Sequence, residues 1–167
     1  EAFNCESLQE IFVINEMAHI HGVKANVSVR INPDIDAHTH KYVTTGLYEN
    51  KFGISQHEFD KLIEFIQKSE HINFIGLHFH VGSQITRVEE VFGLECRRVN
   101  EIVRYFENKG LKVNNINLGG GLGVDYDDPD GSAIADFGTW FSTIAANIER
   151  RPDQAVHVEP GRSLVAQ

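Results

Sequence analysis

The sequence is poor in cysteine and in basic residues, and it has no long apolar run. Each shortage excludes something. Its two cysteines, Cys5 and Cys96, lie far apart and never form a CxxC pair, which leaves neither a disulfide scaffold nor a zinc set. A reducing, cytoplasmic setting is the expectation that follows. Lys and Arg number 15 against 24 Asp and Glu, for a formal net charge of -9. Nucleic acid and anionic membrane both need clustered cations, so neither is expected as a partner. No apolar stretch approaches the length of a membrane span.

What is present suits one globular domain. The chain has 167 residues, 41% hydrophobic and 23% charged, enough for a core and unlike a disordered segment. The opening "EAFNCESLQEI" reads like the middle of a protein. The closing "HVEPGRSLVAQ" stops inside an active-looking segment. We therefore expect a fragment of a longer chain.

Strand and helix signals alternate. "FNCES" reads as a strand end, with Ser7 placed to cap a helix from Leu8 to about His21. "ANVSVRINPD" is rich in Val and Ile and reads as a strand. A polar loop follows, and then a helix opens near Ser55 or Gln56 with Phe59, Leu62, Ile63, Phe65 and Ile66 as its apolar stripe. "INFIGLHFHVGS", "VNNINLGGG" and "AVHVEP" read as further strands. "RVEEVFGLECRRVNEIVRYFENKG" and "IADFGTWFSTIAANIERR" separate them as helices. Such alternation implies parallel strands with crossover helices, in either an open doubly wound sheet or a (β/α)8 barrel. In both, ligands sit at the carboxyl ends of the strands.

The unusual residues cluster there. Gly119, Gly120 and Gly121 fit a phosphate-binding turn, or equally a tight turn with no ligand. The G-x-G-x-x-G spacing of a dinucleotide loop and the Walker lysine are both missing. His78 and His80 are two apart on a strand and so share a face, which suits a metal pair or two histidines at a barrel mouth, one packing and one stacking on a ligand. No carboxylate or cysteine stands at ligand spacing beside them, and no metal is expected. Ser83 offers a hydroxyl to an anion, or a helix cap. Glu159 could act as a base or accept a proton from a ring nitrogen. Arg162 could fork onto a carboxylate or phosphate, or pair with Glu159. His38, His40, Lys41 and Lys51 make one loop locally basic.

In order along the chain, "VSVRINPD", "TTG…NKFGI", "GLHFHVGSQI", "INLGGGLGVDY" and "VEPGRSLVA" resemble the diaminopimelate decarboxylases. These are alanine-racemase-like, fold-type III pyridoxal-phosphate enzymes. The resemblance runs over essentially the whole chain and implies a (β/α)8 TIM-type barrel, of which about half to five-eighths is present here. It implies pyridoxal 5'-phosphate as cofactor and decarboxylation of meso-diaminopimelate to L-lysine and CO2, with another basic amino acid (arginine, ornithine or carboxynorspermidine) as the alternative substrate. It also implies a homodimer in the full-length protein. A non-catalytic cofactor-binding homologue and a metal-dependent barrel enzyme are the competing readings. By the resemblance, His80 stacks on the pyridine ring and Glu159 faces its nitrogen. Ser83, Gly119, Gly120, Gly121 and Gly161 bind the phosphate, and Arg162 lies near the phosphate and the substrate carboxylate. The family's cofactor-linking lysine belongs to an earlier strand. Lys24 in "VKAN" sits at a helix-to-strand turn and does not take that role. Residues 1–167 thus make a partial cofactor-binding barrel domain without the linking lysine or the C-terminal β domain, and are expected to be inactive alone.

Overall fold

A computed structural model describes residues 2–35, 52–127 and 136–165. Five parallel strands run in chain order: β1 (Phe3–Cys5), β2 (Ala25–Arg30), β3 (Ile72–His78), β4 (Asn115–Asn117) and β5 (Ala155–His157). Between them lie α1 (Leu8–Ile20), α2 (Phe59–Lys68, entered through a three-ten turn at Gln56–Glu58), α3 (Val88–Asn108) and α4 (Phe137–Asn147). A single helical turn, α5 (Arg162–Val165), follows β5.

The strand order in the sheet is β1-β2-β3-β4-β5, all parallel. A doubly wound sheet reverses its order partway. Here each crossover advances one strand in the same sense, so right-handed connections place the crossover helices on one face. That is the arc of a barrel. Val27, Val29, Leu77 and Ile116 point outward and are fully buried. They join Ile11, Leu62, Phe92, Val99 and Phe106 of the helices in one core. The other face carries Ser28, Arg30, His78, Asn115 and Asn117, because side chains two apart on a strand share a face. The sheet therefore has an apolar side for its helices and a polar side turned inward.

Local chemistry explains the element ends. Ser7 caps α1, its side chain accepting from the Glu10 N–H at 3.2 Å, and Glu10 reaches back to the Glu6 N–H at 2.7 Å. The last predicted helix is shorter than "IADFGTWFSTIAANIERR" suggests. Asn100 on α3 donates to the Asn147 carbonyl at 2.8 Å and accepts from the Glu149 N–H at 2.9 Å. Those bonds take over from the helical ladder, and α4 stops at Asn147. Arg98 donates to the Pro33 carbonyl at 3.0 Å and to Gln56 at 2.7 Å. It ties the chain leaving β2 to the chain entering α2. The basic loop from His38 to Lys51 lies outside the described residues.

Two features of the core are chemical. Cys5 and Cys96 are free and buried, and burial pushes both thiols up to about 12, so neither is a ready nucleophile. Glu95, in the middle of α3, is completely enclosed, and among the described residues neither carboxylate oxygen has a hydrogen-bond partner. Burial pushes its carboxyl well above the usual carboxylate range.

Candidate active site at the strand ends

Register aligns the site. Arg30 on β2 pairs with His78 on β3, His78 with Asn117 on β4, and Asn117 with His157 on β5. Residues in register on a parallel sheet face the same way. The carboxyl ends of these strands thus form a row of polar side chains on the inner face. Glu159, two residues beyond His157, extends that row. Lys24 lies just before β2, at the opposite end of the sheet.

Glu159 is anchored by its neighbours. Asn117 Nδ2 donates to Glu159 Oε1 at 2.7 Å, and His78 Nε2 stands 3.6 Å from Oε2. The Asn117 Oδ1 accepts from the Gly119 N–H at 2.8 Å, and the Glu159 N–H donates to the Gly119 carbonyl at 2.6 Å. One asparagine thus locks the β4 loop to the β5 loop. Burial is the main force holding the His78 imidazole below its usual range, with Arg30 and His80 adding to it and Glu159 opposing. Arg30 itself pairs with Glu6 and lies over the Phe52 ring at 5.3 Å.

The glycine run is where three loops meet. A Cβ on Gly119 would lie 2.4 Å from the Phe79 carbonyl oxygen, one on Gly120 2.2 Å from that of Glu159, and one on Gly121 2.4 Å from that of Gly82. Gly119 and Gly121 also hold φ of +67° and +109°, conformations that side chains resist. The run is therefore needed to bring the loops after β3, β4 and β5 into contact. Gly161, by contrast, faces open space.

The other predicted residues gather around this junction. His80 Nδ1 accepts from the Gly120 N–H at 3.3 Å, which orients the ring and leaves the proton of the neutral imidazole on Nε2. Arg162 donates to the Tyr126 hydroxyl and reaches Ser83 Oγ at 3.5 Å, its guanidinium 5.8 Å from the Tyr126 ring centroid. It does not pair with Glu159 and meets no carboxylate among the described residues. Ser83 is not a helix cap, since α3 begins only after Arg87. His78 and His80 do not act as a pair, one turning to Glu159 and the other to Gly120. The described residues hold no group of three metal-ligating side chains.

Three contributors escaped the sequence reading. Asn117 looks like an ordinary strand residue, although "NNINL" alternates amides with apolar residues and could have flagged an inward polar face. Tyr126 reads as loop. Gln84, with φ of +58°, donates to the Val124 carbonyl at 2.5 Å and accepts from the Val124 N–H at 3.3 Å, fastening the β3 loop to the β4 loop.

The chain compares closely with proteins of known kind. A family model described as pyridoxal-dependent decarboxylase, pyridoxal binding domain, matches residues 1–166. The diaminopimelate decarboxylase of Bacteroides thetaiotaomicron is 47% identical over 165 residues, 99% of this chain and 42% of that protein. That of Pseudomonas aeruginosa is 39% identical over 164 residues, 98% of this chain and 38% of its own length. Among solved structures, a diaminopimelate decarboxylase from M. jannaschii superposes with a TM-score of 0.82 at 36% identity, over 99% of this chain and 39% of that one. The Helicobacter pylori enzyme complexed with L-lysine gives a TM-score of 0.76 at 34% identity, over 99% and 41%. The chain thus spans about two-fifths of the length of these relatives.

Proposed function

The chain belongs to the pyridoxal-dependent decarboxylases through their pyridoxal-binding domain, and from that premise we propose that it forms the cofactor-holding arc of an enzyme that decarboxylates meso-diaminopimelate to L-lysine and CO2. The observation that carries this reading is the convergence of the loops after β3, β4 and β5, with the Glu159 carboxylate bonded to Asn117 and the Arg162 guanidinium beside Ser83.

These residues fit pyridoxal 5'-phosphate. A phosphate needs cations and donors, and Arg162 lies beside the Ser83 hydroxyl with no carboxylate partner among the described residues. A protonated ring nitrogen needs an anion, and Glu159 is a carboxylate with one oxygen tied to Asn117. Under this proposal His80 lies against the ring face, and Gly161 gives close backbone approach to the phosphate beside the loop of Gly119, Gly120 and Gly121. Arg162 serves the phosphate and the substrate carboxylate.

Bound pyridoxal phosphate supplies an electron sink for the charge left at Cα when CO2 departs. The protein's own work is to hold and tune that group. The Glu159 carboxylate favours the charged pyridinium by direct pairing. The Gly120 N–H fixes the His80 ring. Arg162 and Ser83 provide charge-assisted bonds to an anion.

In the complete enzyme we further propose that the cofactor-linking lysine comes from an earlier strand and that a β-rich C-terminal domain completes the substrate pocket. The same proposal includes a homodimer working in the cytoplasm. Among the described residues no helix is long and apolar enough to cross a membrane. The test is CO2 release by the complete enzyme from meso-diaminopimelate, L-arginine and L-ornithine in parallel. Release with clear preference for meso-diaminopimelate is expected. Preference for either other substrate, or no release with cofactor bound, overturns the proposal.

A further inference from the structure

Glu159 carries a burden that its surroundings do not obviously support. Its side chain is 51% exposed, so burial does not fix its direction. A mobile carboxylate would leave a ring nitrogen without a steady partner. Asn117 Nδ2 ties down Oε1, and one such bond still allows the group to pivot. A second tether on Oε2 would stop that rotation.

His78 is placed to be that tether. The residue is only 8% exposed, and neither ring nitrogen has a hydrogen-bond partner among the described residues. An unmade bond at a buried polar atom is costly. The nearest anion is Glu159 Oε2, 3.6 Å from Nε2, slightly too far for a hydrogen bond. A small side-chain movement closes that gap. The charged and titratable groups facing the imidazole are Glu159 from the β5 loop, Arg30 from β2, His80 from the β3 loop and Glu6 from the β1 loop. With burial foremost and the Arg30 guanidinium beside it, the imidazole is held below its usual range, and a neutral ring can give its one N–H to Oε2. Two donors on different oxygens still leave lone pairs for a third.

We propose that His78 is a positioning residue that donates its Nε2–H to Glu159 Oε2 and, with Asn117, holds the carboxylate toward the cofactor ring nitrogen. The inference rests on the cofactor reading given above. The sequence offered His78 only as a possible metal ligand or packing residue, because its partner lies 81 positions away and meets it only through the parallel register.

The test compares His78→Gln with His78→Met in the complete holoenzyme. Gln keeps an N–H close to the Nε2 position, and Met keeps the bulk without it. For His78→Met, kcat should fall about tenfold to a hundredfold, the scale of one hydrogen bond to a charged group. KM and the cofactor Kd should each change less than about threefold, since the bond matters to chemistry rather than to binding. His78→Gln should recover most of the loss. The NMR resonance of the isotopically labelled ring nitrogen should show loss of its proton in His78→Met and retention in His78→Gln. Glu159→Gln/His78→Met should be no slower than Glu159→Gln alone. Equal losses in the Gln and Met variants, or a ring nitrogen still protonated in His78→Met, overturn the proposal while Glu159→Gln remains slow. If Glu159→Gln is itself as fast as wild type, the cofactor reading beneath it has failed instead.

Discussion

At the scale of single residues, the site depends on who holds Glu159. Asn117 bonds both that carboxylate and the Gly119 N–H, so one amide ties one carboxylate oxygen to the shape of the glycine loop. In the complete enzyme, Glu159→Gln should lower kcat by about 100-fold or more, the scale of losing one preorganised electrostatic partner. Cofactor affinity should change little by comparison, because the phosphate is held elsewhere. Steady-state kinetics alongside a cofactor titration checks this, and unchanged turnover refutes the role. The position of Glu159 and Arg162 just beyond a strand was legible in the sequence because they flank a Pro-Gly. Asn117 was not, since an amide inside a strand acquires its meaning only from the residues that register beside it.

At the scale of elements, two features set stability. The loop after β4 is built on close backbone approach. Gly121 combines φ of +109° with a Cβ position 2.4 Å from the Gly82 carbonyl oxygen. Gly121→Ala should destabilise the protein by about 2–5 kcal/mol, adding backbone strain to overpacking. Chemical denaturation measures it, and a loss below about 1 kcal/mol, within the ordinary range for a surface change, contradicts the packing argument. The second feature is Glu95 in α3. Its folded carboxyl is raised above its unfolded value by burial. Its folded form therefore binds protons more tightly, and stability falls as pH rises from the unfolded carboxylate value, about 4.3, toward the raised folded value. Glu95→Met should stabilise at neutral pH by about 1–3 kcal/mol, the cost of a buried unsatisfied polar group. That gain should shrink as pH falls toward 4.3. Thermal melts across pH check it, and a destabilised variant at neutral pH contradicts it. Local residue pattern revealed α1, α2 and α3. It overran α4, where Asn100 on a neighbouring helix ends the ladder, a tertiary decision no local pattern carries.

At the scale of the whole molecule, alternation of strand and helix announced a parallel α/β sheet but left two architectures open. The strand order decided between them, because sequential neighbours make an arc with one helical face. The polar inner row of Arg30, His78 and Asn117 was hinted at only by the alternation of amides in "NNINL", being assembled across three strands. Residues 1–167 alone should show no decarboxylation of meso-diaminopimelate, since the cofactor-linking lysine is proposed to lie elsewhere. Measured turnover by that fragment would contradict the account.

The loops after β3 and β5 are proposed to hold a phosphate jointly through Ser83 and Arg162. Titrating pyridoxal 5'-phosphate into the complete apo-enzyme and its Ser83→Ala/Arg162→Ala variant measures this. The variant's Kd should rise at least about tenfold, as expected when a charge-assisted bond to an anion is lost. An unchanged Kd in a folded variant would contradict it.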